Sequence, residues 1–434
     1  MEGALGGIDG ADWVVGRGTV ASWRAVTSMR AATAEAELRR AAQWAGGVPS
    51  LAAYAPARSI EAVLSAPPAV RAALLLFPAM DCWLSYAPAI VAGARPEGEA
   101  FLHFAYFQSF AAAAAVLGGA PQTLKVRLSP DARFHATGTR WGLSFPKDCA
   151  GKDAVVKAAR GKLSGTCGKA SGKPTLLPAL AEGMWVEQDD PLVLQPIVMH
   201  GLVRNDARAQ ARFVRVLSAA MARIQDVDRG LFDEMTDFLR LIVPLDNPKD
   251  YGSVSSSYKN MRGALCLSHS DDQLLQEETL IHEFCHQKAN LLTAADPLLK
   301  PGQGGQIVYS PLRPDARRLW GLLLGAHAFV NVNRYLQRVL RREAFPDKAR
   351  LSVQANIARR LCHVDDMLRT VSLYADLTPV GERFQSRLWR EHAVTLHDAL
   401  DFPPAVMEEG RARWLEHRAK KALAGTGVYA EEAK

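Results

Sequence analysis

Cysteine is scarce: six in 434 residues, at positions 82, 149, 167, 266, 285 and 362. None pairs in the short spacings of a disulfide scaffold or a zinc finger, so reduced thiols are expected and a finger-type nucleic-acid reader is excluded. Long hydrophobic runs are missing as well. The most apolar stretch, "FAAAAAVLGGA", is too short to span a bilayer and ends in glycines. The start, "MEGALGGIDGADWVVGRG", carries acidic residues where a secretory signal would carry basic ones, and no apolar core follows. No membrane partner and a cytoplasmic location are the resulting expectations.

What remains is a globular composition, 48% hydrophobic and 22% charged, in a chain too long for one core. Four consecutive regions are expected. Residues 1–125 form an alanine-rich helical region, broken at "GGVPS", "APP" and "RPEGE". Residues 126–205 form a mixed strand and loop region, in which "TLKVRLSPDARFHATG" alternates like a hairpin. Residues 206–343 contain two helices, the buried-strand candidates "RLIVPLD" and "RGALCLSH", and the principal motif. Residues 344–434 form a basic helical region. The fold class expected is α+β, predominantly helical, with a small central sheet next to the motif helix.

The net charge is +7, and seven basic residues fall between Lys147 and Lys173 against Asp148 and Asp153 alone. That glycine-rich segment reads as an exposed loop serving solubility, or as a landing surface for an acidic partner. No nucleic-acid partner is expected, since no reading module accompanies it. Oligomeric state is not encoded in any pattern.

The motif is "EETLIHEFCHQK", which places His282 and His286 four apart with Glu283 between them. On a helix, residues four apart share a face, so both imidazoles can reach one metal ion. The alternative is a pair of histidines on a polar surface. In a zinc peptidase, two histidines and a third ligand hold the metal while the glutamate takes a proton from metal-bound water. Here another absence counts: no glutamate lies between Glu283 and Glu343, and Glu343 sits at a helix end. The donors within reach are Asp296, Asp315 and His327. His327 stands in the middle of the apolar "LWGLLLGAHAFV", where an unpartnered imidazole is costly to bury. Its alternative is a core histidine bonded to a backbone carbonyl or to Asn331. Asp315 could instead complete a two-histidine, one-carboxylate set for iron, or simply cap the helix that follows it.

"SVSSSYKNMRGALCLSHSDDQLLQEETLIHEFCHQKANLLTAADPLL" followed by "YSPLRPDARRLWGLLLGAHAFV" resembles the HExxH-type peptide β-hydroxylases that use iron and 2-oxoglutarate to tailor ribosomally made peptides. The resemblance covers about residues 253–330. It implies Fe(II) as cofactor, 2-oxoglutarate as cosubstrate, a precursor peptide as partner, and metal ligands His282, His286 and His327. It also implies that Arg313 and Arg317 bind the distal carboxylate of 2-oxoglutarate, a task suited to arginine's planar fork. Glu283 becomes a residue that orients a ligand or substrate rather than a base. The chain departs from the family pattern at Leu324, where a histidine stands in the family; His327, one turn on, takes that role in this reading. Two other readings stay open: a zinc peptidase, and a peptide-binding protein with a defective site.

Overall fold

A computed structural model describes residues 10–14, 20–188, 190–194, 207–247, 253–312 and 316–423. The fold is α+β and predominantly helical. It groups the chain into two compact units, one of Met1–Val26, Ala219–Asp237 and Asp272–Lys434, the other of Thr27–Ser218 and Phe238–Asp271. The four consecutive regions expected from sequence are thus regrouped, because each unit is closed by segments distant in the chain. No described helix alone is long and apolar enough to cross a membrane.

In the unit built on Thr27–Ser218, short helices begin where proline presets the first turn, at Pro56–Leu64, Pro68–Leu75 and Pro78–Val91. Pro56–Leu64 and Pro68–Leu75 pack, together with the strands Gln122–Arg127 and Asp153–Ala159, on Gln108–Val116, a helix buried on every face. Its alanines, Ala111 to Ala115, have side chains short enough to let neighbours approach from all directions. Trp83, Phe104, Phe107 and Phe110 fill the adjoining space, with Trp83 edge to face against Phe104 and Phe107, and Phe110 tilted on Phe107.

The strands of this unit correct two expectations. Gln122–Arg127 and Arg133–His135 are both extended, but they do not pair with each other as a hairpin. The first pairs antiparallel with Asp153–Ala159, Leu124 opposite Val156; the second pairs with Trp141–Ser144. The basic segment is also not a loop. Asp153–Ala159 and Lys162–Cys167 form an antiparallel pair, turned by Arg160 and Gly161 at φ 63°. Ala154, Val156 and Ala158 point into the core while Val155 and Lys157 face solvent. The lysines and glycines conceal a period of two whose inward members are small.

A five-stranded sheet lies in the same unit, in the order Ser255–Ser256, Ala264–Leu267, Leu241–Pro244, Met184–Val186 and Ala179–Ala181. Leu241–Pro244 is parallel to both its neighbours, and every residue of it and of Ala264–Leu267 is buried. Continuous apolar strands of this kind are what a sheet covered on both faces requires. Both had been legible as strands in "RLIVPLD" and "RGALCLSH".

The other unit is helical. Its main elements are Gln273–Ala295, Leu319–Arg342, Asp347–Tyr374, Pro379–Asp398 and Pro404–Leu423. Leu319–Arg342 packs against Gln273–Ala295, Asp347–Tyr374 and Pro379–Asp398, which explains its apolar middle. Trp13 and Val14, at the N-terminal end, are completely buried in this unit, with Gly10–Trp13 packed on Pro379–Asp398.

Candidate metal centre

The motif helix Gln273–Ala295 starts at Asp272, whose carboxylate accepts a hydrogen bond from the Leu275 amide at 3.1 Å. Ten residues on, the helix brings His282 and His286 together with ring centroids 4.4 Å apart. Glu283 joins them: one ligand atom from each of the three lies within 4.8 Å of the others. The Nδ1 atom of His286 is buried and has no hydrogen-bond partner. Burial lowers the pKa of this imidazole, opposed by the Glu283 carboxylate. A neutral ring with an unsatisfied buried nitrogen is the state a metal ligand needs, so the histidine pair fits a bound divalent ion.

A layer of side chains fixes His282. Its ring packs on Phe329 of Leu319–Arg342, with centroids 4.8 Å apart. The Arg360 guanidinium lies 5.7 Å from the centre of that same phenyl ring, and Arg360 is also paired with Glu278, one turn before His282. Arg360 and Glu278 are nearly buried, so the pair is shielded from salt. Phe329 and Arg360 were not foreseen. Glu278 carried the only local signal, being four residues before His282 on the same helical face.

His327 is not part of the cluster. It is completely buried, and its Nε2 makes a 3.1 Å hydrogen bond with the Val14 carbonyl. Asn331 Nδ2 donates to the same oxygen at 3.0 Å, and the imidazole sits edge-on to Phe384. Burial pushes its pKa down to about 3, against the smaller raising effect of the Val14 and Cys285 carbonyls. The assignment of His327 as third ligand is therefore corrected: the ring serves the core, and its partner comes from the N-terminal segment. Sequence periodicity could mark the site as buried but not name what buries it.

The other expected donors are placed as follows. Asp296 is the C-terminal cap residue of the motif helix, its pKa raised by burial and lowered by Arg383, and it is outside the cluster. Arg313 and Asp315 lie outside the described residues. Arg317 is half-buried in a two-residue strand, Arg317–Arg318, paired with Ile307–Val308 just before the helix Leu319–Arg342. Glu343 is held by Arg223 through two contacts of 2.7 and 2.9 Å. It is therefore engaged elsewhere, as its position at a helix end suggested. Cys285 is buried, which pushes its thiol up to about 12, and it is outside the cluster.

Glu277 shows what a structural carboxylate on the same helix looks like. It is fully buried, accepts from Tyr335 at 2.8 Å and Gln273 at 2.9 Å, and lies 3.4 Å from Arg223. Its hydrogen-bond and ion-pair partners, Tyr335, Gln273 and Arg223, are all donors, whereas His286 presents its bare Nδ1. Among the described residues the centre thus consists of two imidazoles and the motif carboxylate. No protein-family model matches this chain, and none of the curated proteins does.

Proposed function

We propose that the chain is an iron(II)- and 2-oxoglutarate-dependent hydroxylase acting on a side-chain β-carbon of a ribosomally made precursor peptide. The observation that carries a metal-dependent reading is the histidine pair on one helical face, with His286 Nδ1 buried and bare. The choice of iron over zinc rests on the sequence resemblance and on the engagement by Arg223 of Glu343, the first glutamate after the motif. When bound, iron with the keto acid supplies the oxidising equivalent for C–H hydroxylation.

The protein's part is positional. His282 and His286 hold the ion; Phe329, clamped by Arg360, keeps the His282 ring from turning away. Glu283 orients what binds beside the metal, and Arg313 and Arg317 supply the cation that a distal carboxylate requires. The partner is a precursor peptide, and the setting is the cytoplasm.

Two rival readings have observations behind them. Glu283 lies within the metal-binding cluster, where a zinc peptidase keeps its general base. His327 is committed to the Val14 carbonyl, which favours a peptide-binding protein whose centre lost a ligand. One experiment separates all three. Under anaerobic conditions, Fe(II) and 2-oxoglutarate are added while the visible spectrum is watched for the weak charge-transfer band of their complex, and oxygen with peptide is then admitted. The hydroxylase gives the band, succinate and one oxygen atom on the peptide. Zinc-dependent cleavage without 2-oxoglutarate selects the peptidase, and the absence of metal binding selects the defective binder.

A further inference from the structure

A second cluster of ligand-type side chains lies in the unit that does not contain the motif helix. His135 ends the strand Arg133–His135, Glu187 follows the strand Met184–Val186, and Asp190 precedes Leu192 and Val193. One ligand atom from each lies within 4.8 Å of the others, and all three residues are buried, Glu187 and Asp190 completely.

The hydrogen bonds assign the protonation of His135. Its Nε2 is 2.8 Å from the Thr139 carbonyl, which can only accept, so Nε2 carries the proton. In the neutral ring, Nδ1 is then a bare lone pair. It faces Glu187 Oε2 at 3.4 Å. The His135 Nδ1 is buried and makes no hydrogen bond, so it is the atom a cation would take. A proton on Nδ1 would draw the pair into the roughly 2.7–3.2 Å range of N–H···O bonds. Two ligands on a tetrahedral ion with bonds of about 2.1 Å lie about 3.4 Å apart. The 3.4 Å spacing admits co-ligands of one ion.

The surroundings match. Glu187 Oε1 accepts from the Gln188 and Asp190 amides at 2.9 and 3.0 Å, which aims the other oxygen at His135. Asp190 is locked by the Tyr106 hydroxyl at 2.5 Å, Thr137 Oγ1 at 2.9 Å and the Leu192 amide at 2.9 Å. A histidine donating its second nitrogen to a carbonyl, beside carboxylates that are themselves hydrogen-bonded, is the usual outer support of metal ligands. His135, Tyr106, Thr137 and Ser109 also line a cavity of about 500 Å³, which lies beside the buried ligand atoms.

We propose that His135 Nδ1, Glu187 Oε2 and the Asp190 carboxylate form a second, buried metal site, for a divalent first-row ion of the zinc or manganese kind. This site is independent of the proposed hydroxylase centre.

The test uses the full chain with His282→Ala and His286→Ala, which removes the motif centre. After chelator treatment, zinc is titrated against a chromophoric competitor, and cobalt(II) spectra are recorded. The double variant is expected to keep one zinc equivalent per chain, and adding Glu187→Gln is expected to abolish it with the circular dichroism unchanged. Should the Glu187 variant fail to fold, the cobalt spectrum of the double variant decides: an intense low-symmetry band supports the site, and the weak aqueous spectrum overturns it. A double variant that takes up no zinc, leaving His135 as an imidazolium paired with Glu187, also overturns the proposal.

Discussion

Replacing His327 by glutamine separates a core histidine from a metal ligand, and the size of the effect follows from its surroundings. The ring is completely buried and its pKa is pushed from 6.5 to about 3. A folded-state value below the unfolded one means that the unfolded chain binds the proton more readily. Stability is therefore full above pH 6.5, falls as pH drops through that value, and levels off below about pH 3. At pH 5, about 1.5 units below the unfolded value, the loss from this one group is about 2 kcal/mol. Glutamine does not titrate, so His327→Gln should remove that increment from the pH dependence. At pH 8 the variant itself costs about 1–3 kcal/mol, because Asn331 still satisfies the Val14 carbonyl and mainly packing on Phe384 is lost. The assay is urea unfolding of wild type and variant at pH 8 and pH 5 with chelator present, beside iron content measured separately at pH 8. The expected result is a variant whose stability falls about 2 kcal/mol less between the two pH values and whose iron content matches wild type. Parallel pH dependences would refute the buried neutral ring, and loss of iron comparable to that of His286→Ala would restore His327 as a ligand.

Other outcomes follow from buried charge and close approach. Lys288 and Glu234 form an ion pair whose side chains are only 3% and 4% exposed. Lys288→Met alone should cost about 3–5 kcal/mol by leaving a carboxylate uncompensated, whereas adding Glu234→Leu should recover part of it; a denaturation double-mutant cycle with additive losses would contradict the coupling. At Gly381, in the first turn of Pro379–Asp398, an added Cβ would stand 2.0 Å from the Leu298 carbonyl oxygen. Gly381→Ala should therefore reach the upper end of the roughly 1–3 kcal/mol that overpacking costs, seen as a lowered melting temperature, and an unchanged melt would show that the helix start yields freely.

Local patterns in the sequence were sufficient for the motif helix. Four-residue spacing alone places His282 and His286 on one face, Asp272 caps the helix it precedes, and unbroken apolar runs mark Leu241–Pro244 and Ala264–Leu267 as buried strands. These features depend on backbone periods of 3.6 and 2 residues, which neighbouring residues reveal. The period of Asp153–Ala159 was present but hidden, since its inward alanines carry little hydrophobic signal beside the lysines.

Tertiary structure alone decided the partners. His327 was marked as buried by its apolar neighbours, yet the oxygen it meets belongs to Val14, 313 residues earlier. Phe329 and Arg360 became supports of His282 only when three helices packed together. His135, Glu187 and Asp190 have no motif spacing and converge because two strand ends and a helix start meet in one core. A buried polar atom must find a partner wherever the fold supplies one, and that requirement acts through space, with no trace in the order of residues along the chain.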